Sequence, residues 1–248
     1  MRTLLLLSTA FFLTATSAHA LDFKDTFQKT VIDNLTNSVT GNSSPVSSLS
    51  ESQIIQGLQE ALKVGTQRVV SQIGAKDGYN MDPAIHIPLP AQLQQVQKLL
   101  GKVGLSSLAD DVELKINRAA EQAAPKAKEI VWDAISNMKL EDARAIYQGP
   151  QDAATQYFKK VSSDKLRAMI EPVAKNSLKD VGALQAYDTL IGEYKSMPFV
   201  PDVKADLVNH TTTLAMDGIF HYLAQEEAAI RNDPAKRTTE ILKTVFGQ

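Results

Sequence analysis

Apolar residues recur every three or four positions along most of this chain, which is the spacing of one face of an α-helix. A clear example is the run formed by Ile54, Leu58, Ala61, Leu62, Val69 and Ile73. The exception is AIHIPLP at residues 84–90, and no alternating run is found outside residues 83–90. The pattern predicts an all-α fold, a multi-helix bundle of roughly eight or nine helices, with one short extended segment near residues 84–90.

Proline, glycine and capping residues mark the predicted helix ends. Proline fits the first turn of a helix, where its missing N–H costs nothing. Gly149 precedes one such proline and is a predicted C-cap. Helix starts are therefore expected at or near Pro90, Pro125, Pro150, Ser163, Asp180 and Asp233.

The segment at residues 84–90 is predicted to be an extended strap. Pro88 and Pro90 exclude a helix interior and favour extended geometry in the residues before them. Alternation sends Ile85, Ile87 and Leu89 to one side, and Ala84, His86 and the prolines to the other. The strap would then hold two helical layers together. Alternatively, it walls an apolar groove or offers an edge for β-addition by a partner, with His86 as the polar contact.

The N-terminal residues predict export. Residues 1–20 combine a basic start, the apolar run LLLLSTAFFL and a small-x-small cleavage site, which is the pattern of a signal peptide. Residues 21–35 favour a short amphipathic helix, and residues 36–49 a flexible Ser/Thr/Asn-rich linker. Residues 50–248 would form a single all-helical domain. The expected location is the periplasm.

Composition narrows the function classes. The sequence has no cysteine, which excludes a lipid-modified cysteine after the signal, cysteine catalysis and thiolate metal sites. The formal net charge of −2, without a long basic run, argues against nucleic acid as a partner. No second apolar stretch reaches membrane length, so no transmembrane segment is expected in the mature chain. The partner stays unknown, with an envelope protein or an apolar ligand as candidates.

Two clusters have the residue types of metal ligands. Asp77, Asn80 and Asp82 carry oxygens that suit calcium, but EF-hand spacing is absent and a turn is the alternative. A stripe of Asp and His follows the helix near residues 202–225 as two i,i+4 pairs. The stripe consists of Asp206, His210, Asp217 and His221. The pairs lie roughly 10 Å apart along a helix, too far to share one ion, so we predict a polar border and no metal site.

Two further clusters have the residue types of catalytic groups. Asp152, Thr155 and Tyr157 carry an acid, a hydroxyl and a phenol, but residues two apart on a helix face different directions. We expect packing there and no nucleophile. The second cluster comprises Glu227, Arg231, Asp233 and Arg237. It predicts either a carboxylate site or, preferably, an ion-pair network that fixes the angle between two helices.

The alanine-rich segment at residues 116–135 predicts close helix packing, and it also contains Asn117, Arg118 and Glu121. If Asn117 and Glu121 face inward, they need hydrogen-bond partners and would line a polar cluster or a ligand cavity. Their orientation is open at this point, as is that of His210 and His221.

Five stretches of the chain resemble a known family. They are GLQEALKVGTQRVVSQIGAKDGY at 57–79, IHIPLP at 85–90, NRAAEQAAPKAKEIVWDAI at 117–135, MKLEDARAIYQGPQDAATQYF at 138–158 and IRNDPAKRTTEILKTVFG at 230–247. Together they resemble the bacterial domain-of-unknown-function 4197 family. The resemblance implies an exported helical protein, and it implies no activity and no catalytic residues.

Three functions are therefore compatible with the sequence. The preferred hypothesis is a non-catalytic periplasmic interaction or scaffold protein. The second is a carrier of an apolar or amphipathic ligand between helices, beside the strap. The third is a hydrolase that uses carboxylates and histidines, for which Glu121, Asp217, Glu227 and His221 are the candidates. Catalytic residues are left unknown, and no cofactor is predicted.

Overall fold

Helices make up nearly all of the computed structural model, which describes residues 51–102, 104, 106–194 and 204–236. The predicted signal peptide, N-terminal helix and linker lie outside these residues. The α-helices are α1 (Glu51–Ile73), α2 (Ala91–Gly101), α3 (Ser106–Ala123), α4 (Ala127–Ser136), α5 (Leu140–Gln148), α6 (Ala153–Asp180), α7 (Ala183–Tyr194) and α8 (Lys204–Asn232). Two 3-10 turns span Ala124–Lys126 and Pro234–Lys236.

The all-α prediction is confirmed, and the described residues contain no strand. The helix number is lower than expected. Because α3, the turn Ala124–Lys126 and α4 follow one another without a gap, the described residues form seven continuous α-helical segments, against the predicted eight or nine. Pro125 lies inside the 3-10 turn, so it bridges two helices where we expected a separate start.

The long helices α6 and α8 pack against each other, and α8 also packs on α1 and α3. Helix α6 buries one row of residues at four-residue spacing: Ala154, Phe158, Ser162, Leu166, Ile170, Ala174 and Leu178. This unbroken row explains why the helix start predicted at Ser163 is wrong, since Ser163 lies within α6 and donates to the carbonyl of Lys159. Ala119, Ala120, Ala123, Ala124 and Ala127 are fully buried, which confirms close packing in the alanine-rich segment.

Other predicted helix ends shift by a few residues. Gly149 caps α5 as predicted, but α6 begins at Ala153, after Pro150. Asp180 ends α6 instead of starting a helix. Gly182 follows with a φ of +75°, and this left-handed conformation separates α6 from α7. Pro90 is the N-cap residue of α2, directly before its first turn.

Candidate functional site

The segment between α1 and α2, residues 74–90, is held against α3 and α8; we call it the clamped loop. Its predicted alternation is confirmed by burial, since Ile85, Ile87 and Leu89 are all buried. Pro88 is exposed as expected. Pro90 is buried, contrary to the alternation, because it already begins the turn into α2.

Asn117 on α3 acts as the hydrogen-bonding partner of the strap. Its Oδ1 accepts from the N–H of Ile87 at 2.9 Å, and its Nδ2 donates to the carbonyl of the same residue at 2.8 Å. Nδ2 also donates to the carbonyl of Glu113 at 2.9 Å. Asn117 is fully buried, so one amide side chain satisfies both polar groups of Ile87 that a neighbouring strand would otherwise pair.

The other edge of the strap is closed as well. Pro88 has no N–H, and its carbonyl accepts from Nε2 of His210 on α8 at 2.8 Å. The N–H of His86 donates to the carbonyl of Asp82 at 2.8 Å. A partner strand would find these groups occupied, which argues against β-addition at this edge. The strap instead joins α3 to α8, as the structural prediction required.

Glu121 on α3 holds the first half of the clamped loop. It is only 4% exposed, and its Oε1 accepts from the N–H groups of Tyr79 and Asn80 at 3.2 and 3.1 Å. Its Oε2 accepts from Arg118 at 2.8 Å, and Arg118 also binds Asp77 at 2.6 Å. Asn117 and Glu121 therefore both face inward, and they hold backbone instead of lining a ligand cavity.

Asp77 has a φ of +70°, a left-handed conformation that Asp tolerates better than most residues. Its carboxylate accepts from Nδ2 of Asn80 and from the guanidinium of Arg118, and these two bonds lower its pKa below the ordinary value. The charged form is thus the form that holds the turn.

Tyr79 fixes the clamped loop to α8. The ring is fully buried, and its hydroxyl donates to the carbonyl of Ala215 at 2.7 Å. The ring lies against Gly218, where an added Cβ would come within 2.7 Å of the ring. Burial, followed by the charges of Asp217 and Glu121, raises the pKa of Tyr79 far above its usual range. The phenol therefore stays neutral and keeps donating.

Two further side chains tie the loop to the helices. The hydroxyl of Tyr222 on α8 donates to Asp82, and this bond, with burial, raises the pKa of Tyr222 to about 12. His86 places Nδ1 at 2.9 Å from the carbonyl of Asn80 and Nε2 at 2.8 Å from Oε1 of Glu113. Each ring nitrogen of His86 therefore faces an oxygen atom, one in the loop and one on α3. His86 links the loop to α3 through these two hydrogen bonds.

The tip of the clamped loop is exposed to solvent. Met81 is 73% exposed, and Pro83 and Ala84 are exposed beside it. The Asp82 bond brings Tyr222 to the tip, and Tyr222 makes an edge-on ring contact with exposed His221 at 5.3 Å between centroids. We call these five residues, Met81, Pro83, Ala84, His221 and Tyr222, the tip surface.

The remaining metal candidates have ordinary partners. The carboxylate of Asp82 accepts from the N–H of Ala84 as well as from Tyr222, and Asp77 is used by Arg118 and Asn80. Asp206, Asp217 and His221 are exposed on α8, and His221 contacts Gln225 at 2.8 Å. Within the part of the chain that the structure describes, no three His, Cys, Asp or Glu side chains are grouped as a metal site.

The fourth cluster is an ion-pair network, as preferred from sequence. Glu227 on α8 is 6% exposed and accepts from the N–H groups of Ala154 and Thr155 at 2.9 and 3.0 Å. It pairs with Arg231 at 3.0 Å, and Arg231 donates to the carbonyl of Ile146 at 2.7 Å. The pair thus joins the last turn of α5 to the first turn of α6. Arg237 lies outside the described residues, and Asp233 caps the turn Pro234–Lys236.

The suggested nucleophile cluster does not assemble. Oγ1 of Thr155 donates to Glu227 at 3.0 Å, whereas Asp152 accepts from Gln156 at 2.9 Å. Tyr157 packs edge-on against Phe158, with centroids 5.7 Å apart, and burial, ahead of the charge of Asp142, raises its pKa. The three side chains are therefore engaged in separate contacts.

A cleft beside Thr155 and Glu227 is too small for a ligand. It is lined by Gly65, Thr66, Thr155, Phe158, Glu227 and Ile230, among others, and its volume is about 10 Å³. That is room for about one water molecule. None of the helices within the described ranges is both long and apolar enough to cross a membrane.

The family model of DUF4197, described as a protein of unknown function, matches residues 48–247. The chain belongs to the DUF4197 family. No curated protein and no solved structure matches the chain. The match confirms the predicted family and covers both the clamped loop and the Glu227–Arg231 pair. The family carries no assigned activity, so a functional reading of this DUF4197 chain depends on its own geometry.

The sequence did not reveal several residues that hold the clamped loop. It assigned no functional role to Glu113, Tyr79, Gly218 or Tyr222. A signal was available at Tyr79 and Gly218, since a large aromatic in a turn and a glycine inside a helix can mark a close approach. The two residues are 139 positions apart, and only the folded structure shows that they are in contact.

Proposed function

We propose that this DUF4197 protein is an exported, non-catalytic interaction protein that binds a partner protein through the tip surface. The observation that supports this most directly is the 73% exposure of Met81 on a loop whose backbone is hydrogen-bonded to buried side chains on either side of the tip. The fixed backbone keeps the large Met81 side chain in water, where it does not contribute to the packing of the fold.

The energetics of the tip surface suit binding. Transferring a methionine side chain out of water is worth about 1.5–3 kcal/mol. Because Glu121, Asn117 and Tyr222 already hold the loop, little ordering entropy is lost when a partner contacts it. The unbranched thioether also adapts to differently shaped partners. Export is supported by the signal-peptide pattern of residues 1–20.

The alternatives find less support in the geometry. For an enzyme, Glu121 and Glu227 would need free carboxylates, but each accepts two backbone N–H groups and an arginine. A carrier would hold its ligand between helices beside the strap, where Ile85, Ile87 and Leu89 are instead buried in the packed core. The cleft beside Thr155 lies elsewhere and has room for about one water molecule.

Photocrosslinking tests the proposal. The full chain is expressed in its own cells with a photoreactive amino acid at position 81 or, as a matched control, at Val161, an apolar residue on α6 that is 43% exposed. We expect a discrete protein adduct from position 81 that is absent from position 161 and is lost when Pro83 and Tyr222 are both changed to Asp. Equal adducts from both positions, or none from position 81, would contradict the proposal.

A further inference from the structure

We infer that Met81 is an oxidation site at which a hydroperoxide converts the thioether to a sulfoxide without disturbing the fold. In this step the peroxide O–O bond breaks, the distal oxygen forms a bond with sulfur, and an alcohol or water leaves. Sulfur is oxidised by two electrons and the peroxide is reduced by two. Met81 is 73% exposed, whereas Met138 and Met216 are 8% and 6% exposed.

The side chains that flank Met81 form hydrogen bonds with other residues. Nδ2 of Asn80 donates to Asp77, and the carboxylate of Asp82 accepts from Ala84 and Tyr222. The backbone of the tip is fixed by Glu121, so the thioether stays in solvent. An oxidant therefore reaches the sulfur in the native state, with no opening of the helices.

The fold does not depend on the Met81 side chain. The N–H of Met81 donates to the carbonyl of Asp77 at 3.1 Å, and that bond involves only the backbone. A sulfoxide at this position adds a polar, chiral group to the tip surface and removes no hydrogen bond of the clamped loop. A sulfoxide at Met138 or Met216 would instead place an oxygen in the core. Oxidation is thus expected to change the surface and leave stability unchanged.

The site itself is tested on the full chain with dilute hydrogen peroxide. Peptide mass spectrometry should show Met81 oxidised at least about tenfold faster than Met138 and Met216, because susceptibility follows exposure. The urea unfolding midpoint should be unchanged at the time when Met81 is fully converted. Oxidation of the three residues at similar rates, or a fall in the midpoint that tracks Met81 and is absent from Met81→Leu, would overturn the inference.

A regulatory consequence follows, and it rests on the proposed function: the sulfoxide should release the partner. A photoreactive residue at position 84 reports it, with adduct yield compared before and after peroxide treatment in cells. We expect a several-fold loss of yield that rises in step with the fraction of Met81 present as sulfoxide. No adduct under either condition would contradict the proposed function. An adduct that persists at full conversion of Met81 would overturn the regulatory consequence alone.

Discussion

Two buried glutamates, Glu121 on α3 and Glu227 on α8, make closely similar bonds in two parts of the molecule. Each accepts the N–H groups of two successive residues and pairs with an arginine about one turn away on its own helix. They differ in the backbone they hold. Glu227 holds the first turn of a helix, whereas Glu121 holds a non-helical loop with an exposed tip.

The arginines show why the difference matters. Arg231 donates to the last turn of α5, so the Glu227 pair connects one helix end to another inside the bundle. Arg118 donates to Asp77, within the same loop that Glu121 holds. The same chemistry thus stabilises the bundle at one place and gives a surface a fixed shape at the other. We therefore expect loss of the first to affect the whole fold and loss of the second to affect the loop.

The largest expected effect is that of Glu227→Ala. The change leaves two backbone N–H groups and the Arg231 guanidinium without their buried acceptor, so we expect a loss of about 3–5 kcal/mol in the free energy of unfolding. Urea unfolding followed by circular dichroism and by the fluorescence of the single Trp132 measures it. The control is Glu226→Ala, which removes a partly exposed pair with Arg68 and should cost about 1 kcal/mol or less. Similar losses of unfolding free energy in both variants would show that the burial of Glu227 does not determine the size of the loss.

Glu121→Ala is expected to have a smaller and more local effect. Arg118 keeps Asp77 as a partner, so we expect a smaller loss of about 2–3 kcal/mol, chiefly from the unpaired N–H groups of Tyr79 and Asn80. Hydrogen exchange should accelerate in residues 76–90 and stay unchanged in residues 140–160. Gln122→Ala, at the exposed neighbouring position, is the control. Faster exchange spread evenly over both regions would remove the distinction between loop and bundle.

Local pattern predicted one of these glutamate pairs and not the other. Glu227 and Arg231 are four residues apart on a helix, so the sequence predicts an ion pair between them. It does not predict that Glu227 also holds the first turn of α6. The strap is also visible locally, because prolines restrict their own backbone and that of the residue before. Asn117 and Glu121 bind backbone 30 and 41 to 42 positions away, and no helical period encodes which way they turn. Packing of α3 against the loop decides their orientation.

The contact between Tyr79 and Gly218 is a second long-range feature that sequence did not pair. Gly218→Ala would bring a Cβ within 2.7 Å of the buried ring. Overpacking costs about 1–3 kcal/mol, and a contact this short falls in the upper part of that range, about 2–3 kcal/mol. Alanine gains roughly 1 kcal/mol over glycine in a helix, so we expect a net loss of about 1–2 kcal/mol. Gly192→Ala, where nothing lies within 4 Å, is the matched control and should be stabilising. A stabilising effect at both positions would mean that α8 and the loop can move apart freely.

Tyr222→Phe has the smallest expected effect and tests the tip itself. Losing the bond to Asp82 should cost about 1 kcal/mol near neutral pH. The pKa of Tyr222 is raised from 10.0 to about 12, so its contribution is fully present below pH 10 and is lost as the pH rises toward 12. The difference in unfolding free energy between wild type and Tyr222→Phe should therefore shrink over that interval. Tyr79 is present in both proteins, so its own titration cancels in the difference. A difference that stays constant from pH 9 to 11.5 would mean that the bond does not hold the tip in solution, and the fixed shape of the tip surface would then depend on Glu121 and Asn117.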